Sequence, residues 1–229
     1  MKKKLLQHDT NKLFYNKYLY CLTVYNQLGP IFRNKNFMFA STVLDQLQTD
    51  LDNGILPLTR WQGRYQSPID IAHFIDARTI YNVLTRYKDV YLIRCESNTL
   101  NFYCNDDAFL RRLSNKLRSV QTFAGPAKEH IEFIRNNTNT IIVKDNTYQY
   151  KVTFNSNWVP DTLGPWLKVN RDKVKVSDML LDDLDQDLKY MNGRYIFMTT
   201  EKVLMLFKII AGNCIQRIDK LVCDADIDK

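Results

Sequence analysis

Residues 194–222 read Arg-Tyr-Ile-Phe-Met-Thr-Thr-Glu-Lys-Val-Leu-Met-Leu-Phe-Lys-Ile-Ile-Ala-Gly-Asn-Cys-Ile-Gln-Arg-Ile-Asp-Lys-Leu-Val. Thr200 stands where a helix needs a side-chain acceptor for its first free N–H groups. An apolar-periodic run from Glu201 to Ala211 follows it, and Gly212 supplies a residue free to close the helix. The flanks Arg194–Thr199 and Ile215–Val222 are short, aromatic and β-branched, as strands are. Strand, helix, strand within some thirty residues predicts a parallel, right-handed βαβ unit with its helix on one face of a sheet.

Working outward, the same vocabulary recurs. Ser177 caps an acidic helix carrying Leu180, Leu181, Leu184 and Leu188, ended by Asn192-Gly193. Residues 155–176 read as irregular. Thr140–Lys144 and Tyr148–Phe154 read as a hairpin about Asp145-Asn146, and Val90–Glu96 with Leu100–Cys104 as another about Ser97-Asn98-Thr99. Asp106 precedes a helix to about Val120 with Phe109, Leu110, Leu113 and Leu117 inward. Ser67-Pro68-Ile69-Asp70 is a helix start, with apolar positions continuing to about Tyr87. Thr42 is read as the cap of a helix ending at Asn53-Gly54, and Leu13–Tyr25 as one long strand with Phe14, Tyr18, Tyr20, Leu22 and Val24 on one face.

The fold class is therefore α+β, with antiparallel or mixed sheets covered by helices and ferredoxin-like or RRM-like βαβ elements, in two lobes. Ala124-Gly125-Pro126-Ala127 reads as the linker, dividing a basic lobe, 1–123, from a neutral one, 128–229. A single domain over 1–223 is the alternative.

Charge follows that division. Residues 1–120 hold 17 Lys and Arg against 10 Asp and Glu, and residues 121–229 hold 15 of each, so the whole net charge of +7 lies in the first half. A basic surface attracts polyanions and speeds encounters with them. Between Lys12 and Phe39 stand four Tyr, four Phe, three Lys and one Arg. Base stacking on rings and phosphate pairing with cations need that mixture, although Tyr and Phe also serve as ordinary strand residues. The candidate nucleic-acid contacts are Lys17, Tyr18, Tyr20, Phe32, Arg33 and Lys35 in this segment. Arg60, Trp61 and Arg64 form a second cluster in a loop, and Arg111, Arg112, Lys116 and Arg118 a third on a helix face.

Other chemistries find little support. Three scattered His residues, and Cys pairs 95/104 and 214/223 with gaps too long for zinc, predict no metal site. No phosphate-binding glycine loop and no Gly-x-Ser-x-Gly elbow occurs. Asp145 with Gln149 and Lys151 bears a slight likeness to a divalent-metal nuclease core, with Gln where Glu is expected. No catalytic residue and no cofactor are assigned. Five cysteines and no leader or membrane-length apolar run are read as a soluble protein of a reducing compartment, the cytoplasm.

Tyr91-Leu-Ile-Arg-Cys-Glu-Ser-Asn-Thr-Leu-Asn-Phe-Tyr-Cys-Asn-Asp106, Tyr195-Ile-Phe-Met-Thr-Thr-Glu-Lys-Val-Leu204 and Ile218-Asp-Lys-Leu-Val222 resemble proteins of unassigned function from large tailed phages. The resemblance covers about half of the chain and implies a viral origin, hence a host-cell cytoplasm, with no activity to transfer. Taken together, the sequence is read as a non-enzymatic nucleic-acid-binding accessory protein of viral replication or gene expression, with RNA or DNA as partner. A protein–protein adaptor or virion component is the first alternative, and a metal-dependent nuclease the second. Oligomeric state is left open.

Overall fold

A computed structural model describes residues 6–59, 67–87, 90–145 and 147–227. The chain divides into two compact units, Met1–Ile131 and Glu132–Lys229.

In the first unit β1 (Leu6–Thr10) and β2 (Tyr20–Tyr25) precede α1 (Phe37–Asp52) and α2 (Ile71–Arg86); β3 (Tyr91–Glu96), β4 (Thr99–Cys104), α3 (Asp107–Lys116) and β5 (Val120–Pro126) complete it. The sheet order is β1-β5-β2-β4-β3, with β1 parallel to β5 and every other neighbour antiparallel. One face is dry. Leu22, Val24, Leu100, Phe102 and Phe123 on the strands, and Leu44, Ile80, Leu84 and Leu110 on the helices, are essentially inaccessible. Apolar burial on this scale is the main favourable term in holding helices to a sheet.

In the second unit α4 (Ile131–Asn136) leads into β6 (Thr140–Val143) and β7 (Tyr150–Phe154). Then come α5 (Leu163–Val169), β8 (Val174–Lys175), α6 (Asp178–Asp185), β9 (Tyr195–Met198), α7 (Glu201–Ala211) and β10 (Ile215–Cys223). The order is β6-β10-β7-β9-β8, again with the first and last strands parallel and the rest antiparallel. Val152, Phe154, Ile196 and Met198 pack under Leu163, Leu167, Leu180, Leu204 and Phe207.

The two units thus repeat one plan. Taking each unit's five strands in chain order, the spatial order is first-fifth-second-fourth-third in both. Omitting the first strand leaves the split-βαβ arrangement of ferredoxin-like and RRM-like sheets, so the α+β class read from sequence is the one observed.

Several local readings change. The strands around 194–222 run the same way but are not neighbours, because β7 lies between β9 and β10. Strands 140–143 and 150–154 form no hairpin: β10 lies between them, and Lys220–Cys223 pairs with Thr140–Val143. The sequence 124–126 is no linker but the end of β5. Gly125 is required there because an added Cβ would run into the Tyr20 ring. Asn36, not Thr42, caps α1 through a 3.0 Å bond from Phe39 N–H. Asp70 caps α2, because Ser67–Ile69 is extended and bonded to Pro57 and Thr59. Thr200 and Gly212 bound α7 as read.

Candidate nucleic-acid interface

Helices cover one face of each sheet, and the alternate residues of each strand point to the other. In the second unit those alternate residues are Lys151 and Thr153 on β7, Tyr195 and Phe197 on β9, Lys175 on β8, and Arg217 and Asp219 on β10, as the pairing register requires. Tyr148, Phe197 and Tyr195 form a row of rings, with centroids 5.9 and 5.5 Å apart. Lys151 extends its ammonium over the row, 3.8 Å from the Tyr195 centroid and 5.9 Å from that of Phe197. Tyr195 is 48% exposed. Asp219 is the one acid of the sheet register here; it is buried, and its Oδ2 accepts from Arg217 Nε at 2.9 Å. The carboxylate is thereby answered within the protein by Arg217.

Beside this face, a cleft of about 610 Å³ opens between the end of β8, the start of α6 and the turn before β9. Its walls include Lys175, Met179, Leu180, Asn192, Tyr195 and Phe197. Ser177 fixes the near wall by capping α6 through a bond from Leu180 N–H. Gly193, at φ 76°, lets the chain reverse into β9 on the far wall. Arg194 is committed elsewhere, with Nη2 on Asp183 Oδ2 at 2.5 Å.

The equivalent face of the first unit is closed. Cys21 pairs with Tyr103 there as Lys151 pairs with Phe197 in the second unit. A tight turn lies over Tyr103, with Phe14 N–H bonded to Tyr18 C=O at 2.8 Å and both Tyr15 and Asn16 at positive φ. Tyr15 meets Tyr103 edge-on at 5.0 Å, Phe14 and Tyr18 flank it, and the Arg94 guanidinium stacks 5.4 Å over Tyr15. Tyr103 is left 8% exposed. Burial pushes the Cys21 thiol up to about 11, against hydrogen bonds with Thr23 and Tyr103. The Tyr103 hydroxyl rises for the same reason, with Cys21 and Tyr15 adding to it. At the strand edge Cys95 also rises through burial, opposed by a hydrogen bond with Arg33.

The residues singled out in the sequence are dispersed. Residues 13–25 are not one strand: the turn at 14–18 folds back and β2 begins at Tyr20. Tyr20 packs on Phe123 at 6.1 Å and is 8% exposed, and Phe32 is 1% exposed, so neither can stack on a base. Lys17 is exposed, 5.4 Å over the half-buried Tyr18 ring. Arg33 and Lys35 are exposed in the turn before α1. Arg60, Trp61 and Arg64 lie outside the described residues. On α3, Arg112 and Lys116 are exposed, whereas Arg111 is bonded to Asp107 and lies 4.6 Å over Phe123. Arg118 is past the end of α3. Its N–H is held by Asp76, a buried carboxylate that also accepts from the N–H and Oγ of Ser119.

Asp145 accepts from the N–H and Oγ1 of Thr147, which accounts for it as a turn residue. Among the described residues no group of three His, Cys, Asp or Glu is placed to hold a metal ion. Among them, too, no helix is long and apolar enough to cross a membrane.

The face in the second unit lies in the half of the chain that carries no net charge. A signal was present: Tyr18-x-Tyr20-x-x-Thr23 recurs as Tyr148-x-Tyr150-x-x-Thr153. In addition, the helix caps Asp106 and Thr200 each follow Tyr103 and Phe197 by three residues. No family model matches the chain, and neither a curated protein nor a solved structure matches it.

Proposed function

We propose that the chain is a non-enzymatic nucleic-acid-binding protein whose contact surface is the open sheet face of the second unit. The observation that carries this is the placement of Tyr195 and Phe197 on a central strand, away from the helices, with Lys151 over the rings and Lys175 beside them. RRM-like sheets use aromatic residues on that face to stack bases, and flanking cations to meet phosphates. The exposed Lys17, Arg33, Lys35, Arg112 and Lys116 add a field that raises encounter rates. We place that binding in viral replication or gene expression, the phage resemblance supplying the viral origin alone. Gel retardation of labelled RNA and DNA across a salt series tests the reading: binding that weakens linearly with log salt is expected, and absence of binding at low salt would overturn it.

A second reading, as an adaptor or virion component, draws on α7. Met205, Leu206 and Ile209 are 57%, 49% and 79% exposed on that one helix, and clustered exposed apolar residues mark protein interfaces. Co-purification of a stoichiometric protein partner, lost on Ile209→Lys, would favour it.

A further inference from the structure

We infer that the ligand of this face is single-stranded, with successive bases on Phe197 and Tyr195 and a further nucleotide seated in the cleft beside β8. The inference rests on the nucleic-acid reading of the same face and goes beyond it in strandedness and in the site. Phe197 and Tyr195 project from alternate positions of β9, and their planes are inclined at 76° with centroids 5.5 Å apart. Bases in a duplex are about 3.4 Å apart along the strand and covered on both sides by their neighbours. A closed stack therefore offers neither ring a free face, while unstacked bases can meet each ring separately.

Lys175 is the register partner of Phe197 on the adjoining strand, placing a cation one strand away from the ring. That is where the phosphate following a stacked base would pass. The cleft lies just beyond, and its volume of about 610 Å³ falls within the usual size of small-molecule sites. Leu180 supplies an apolar floor and Met179 a rim for a base. Asn192 also lines the cleft and donates a 3.3 Å bond to Tyr190 Oη; its carboxamide is a group able to read a base edge. The first unit provides the contrast, since Tyr103 at the matching position is sealed by Tyr15.

The test is fluorescence anisotropy with a labelled oligonucleotide, alone and annealed to its complement, on the full chain. The single strand is expected to bind at least about tenfold tighter than the duplex. Phe197→Ala and Tyr195→Ala are each expected to weaken single-strand binding about tenfold. Met179→Trp, which fills the cleft and leaves both rings in place, is expected to weaken it several-fold with an unchanged melting curve. Equal affinity for the duplex, or wild-type affinity in all three variants, overturns the inference while leaving nucleic-acid binding to another surface. No binding of either form at low salt removes the proposed function itself.

Discussion

The ammonium of Lys151 on β7 lies 3.8 Å from the centre of the Tyr195 ring on β9, a diagonal cross-strand pair on the face opposite the core under α5 and α7. A cation so close to a ring is held by the ring's negative face, and it keeps Tyr195 oriented away from the core. Lys151 and the two rings share one face of the sheet, as the β7–β9 register requires. Lys151→Gln is expected to lower nucleic-acid affinity about three- to tenfold. It should also reduce the slope of log affinity against log salt by about one, measured by anisotropy titrations. An unchanged slope would take Lys151 out of the interface.

Asp76 anchors the turn after α3 in the first unit by accepting three bonds from Arg118 and Ser119, one of them from Ser119 Oγ at 2.5 Å. Removing the carboxylate leaves three part-buried donors without that acceptor. Asp76→Ala is expected to cost about 3 kcal/mol in urea unfolding, and Ser119→Ala about 1 kcal/mol. A loss below about 1 kcal/mol for Asp76→Ala would mean that water replaces the carboxylate.

Gly125 lies directly under the Tyr20 ring in the pairing of β5 with β2. Gly125→Ala is expected to destabilise the first unit by about 1–3 kcal/mol through overpacking, and Gly125→Ala with Tyr20→Leu to recover part of that loss. Thermal melts of the two variants measure it. A neutral Gly125→Ala would contradict the β2–β5 register.

Cys21 is held as a neutral thiol by burial, its pKa pushed from the ordinary 9.0 to about 11. The folded state then binds the proton more tightly than the unfolded one. The stability contributed by this thiol is fully present below pH 9 and declines as the pH rises through 11, on the order of 2–3 kcal/mol in all. Comparing urea midpoints of the wild type and Cys21→Ala at pH 8 and pH 11 isolates it: the wild type's relative stability is expected to fall across that window. An equal difference at both values would show the thiol titrating normally. In the native protein at pH 8, Cys21 is also expected to resist alkylation, whereas unfolding exposes it.

Single side chains reveal many of the element ends, although Asn36 and Asp70 rather than Thr42 and Ser67 cap α1 and α2. Thr200 and Gly212 bound α7, Ser177 caps α6, Asp106 caps α3, and the β3–β4 hairpin turns at Ser97-Asn98. What was not legible depends on long-range pairing. Nothing near Ile215–Cys223 reveals that it inserts between β6 and β7, since a strand's partners are chosen by burial of its faces across the whole unit. Gly125-Pro126 reads as punctuation because the reason for the glycine, the ring of Tyr20, lies a hundred residues away. The candidate site suffered likewise. The density of rings between Lys12 and Phe39 is largely spent on the core, as Tyr20 and Phe32 demonstrate, and on the turn that seals Tyr103. Tyr195 and Phe197, in a segment of no net charge excess, gain their importance only from pointing away from α7.

On the proposed function, the open face of the second unit touches nucleic acid and the basic first half does not. Ultraviolet crosslinking of the full chain to an oligonucleotide, with adducts located by mass spectrometry, tests it directly. Adducts on the peptides carrying Tyr195 and Phe197, competed by unlabelled strand, are the expected result. Adducts confined to residues 12–39 or 111–118, with none on β9, would contradict it.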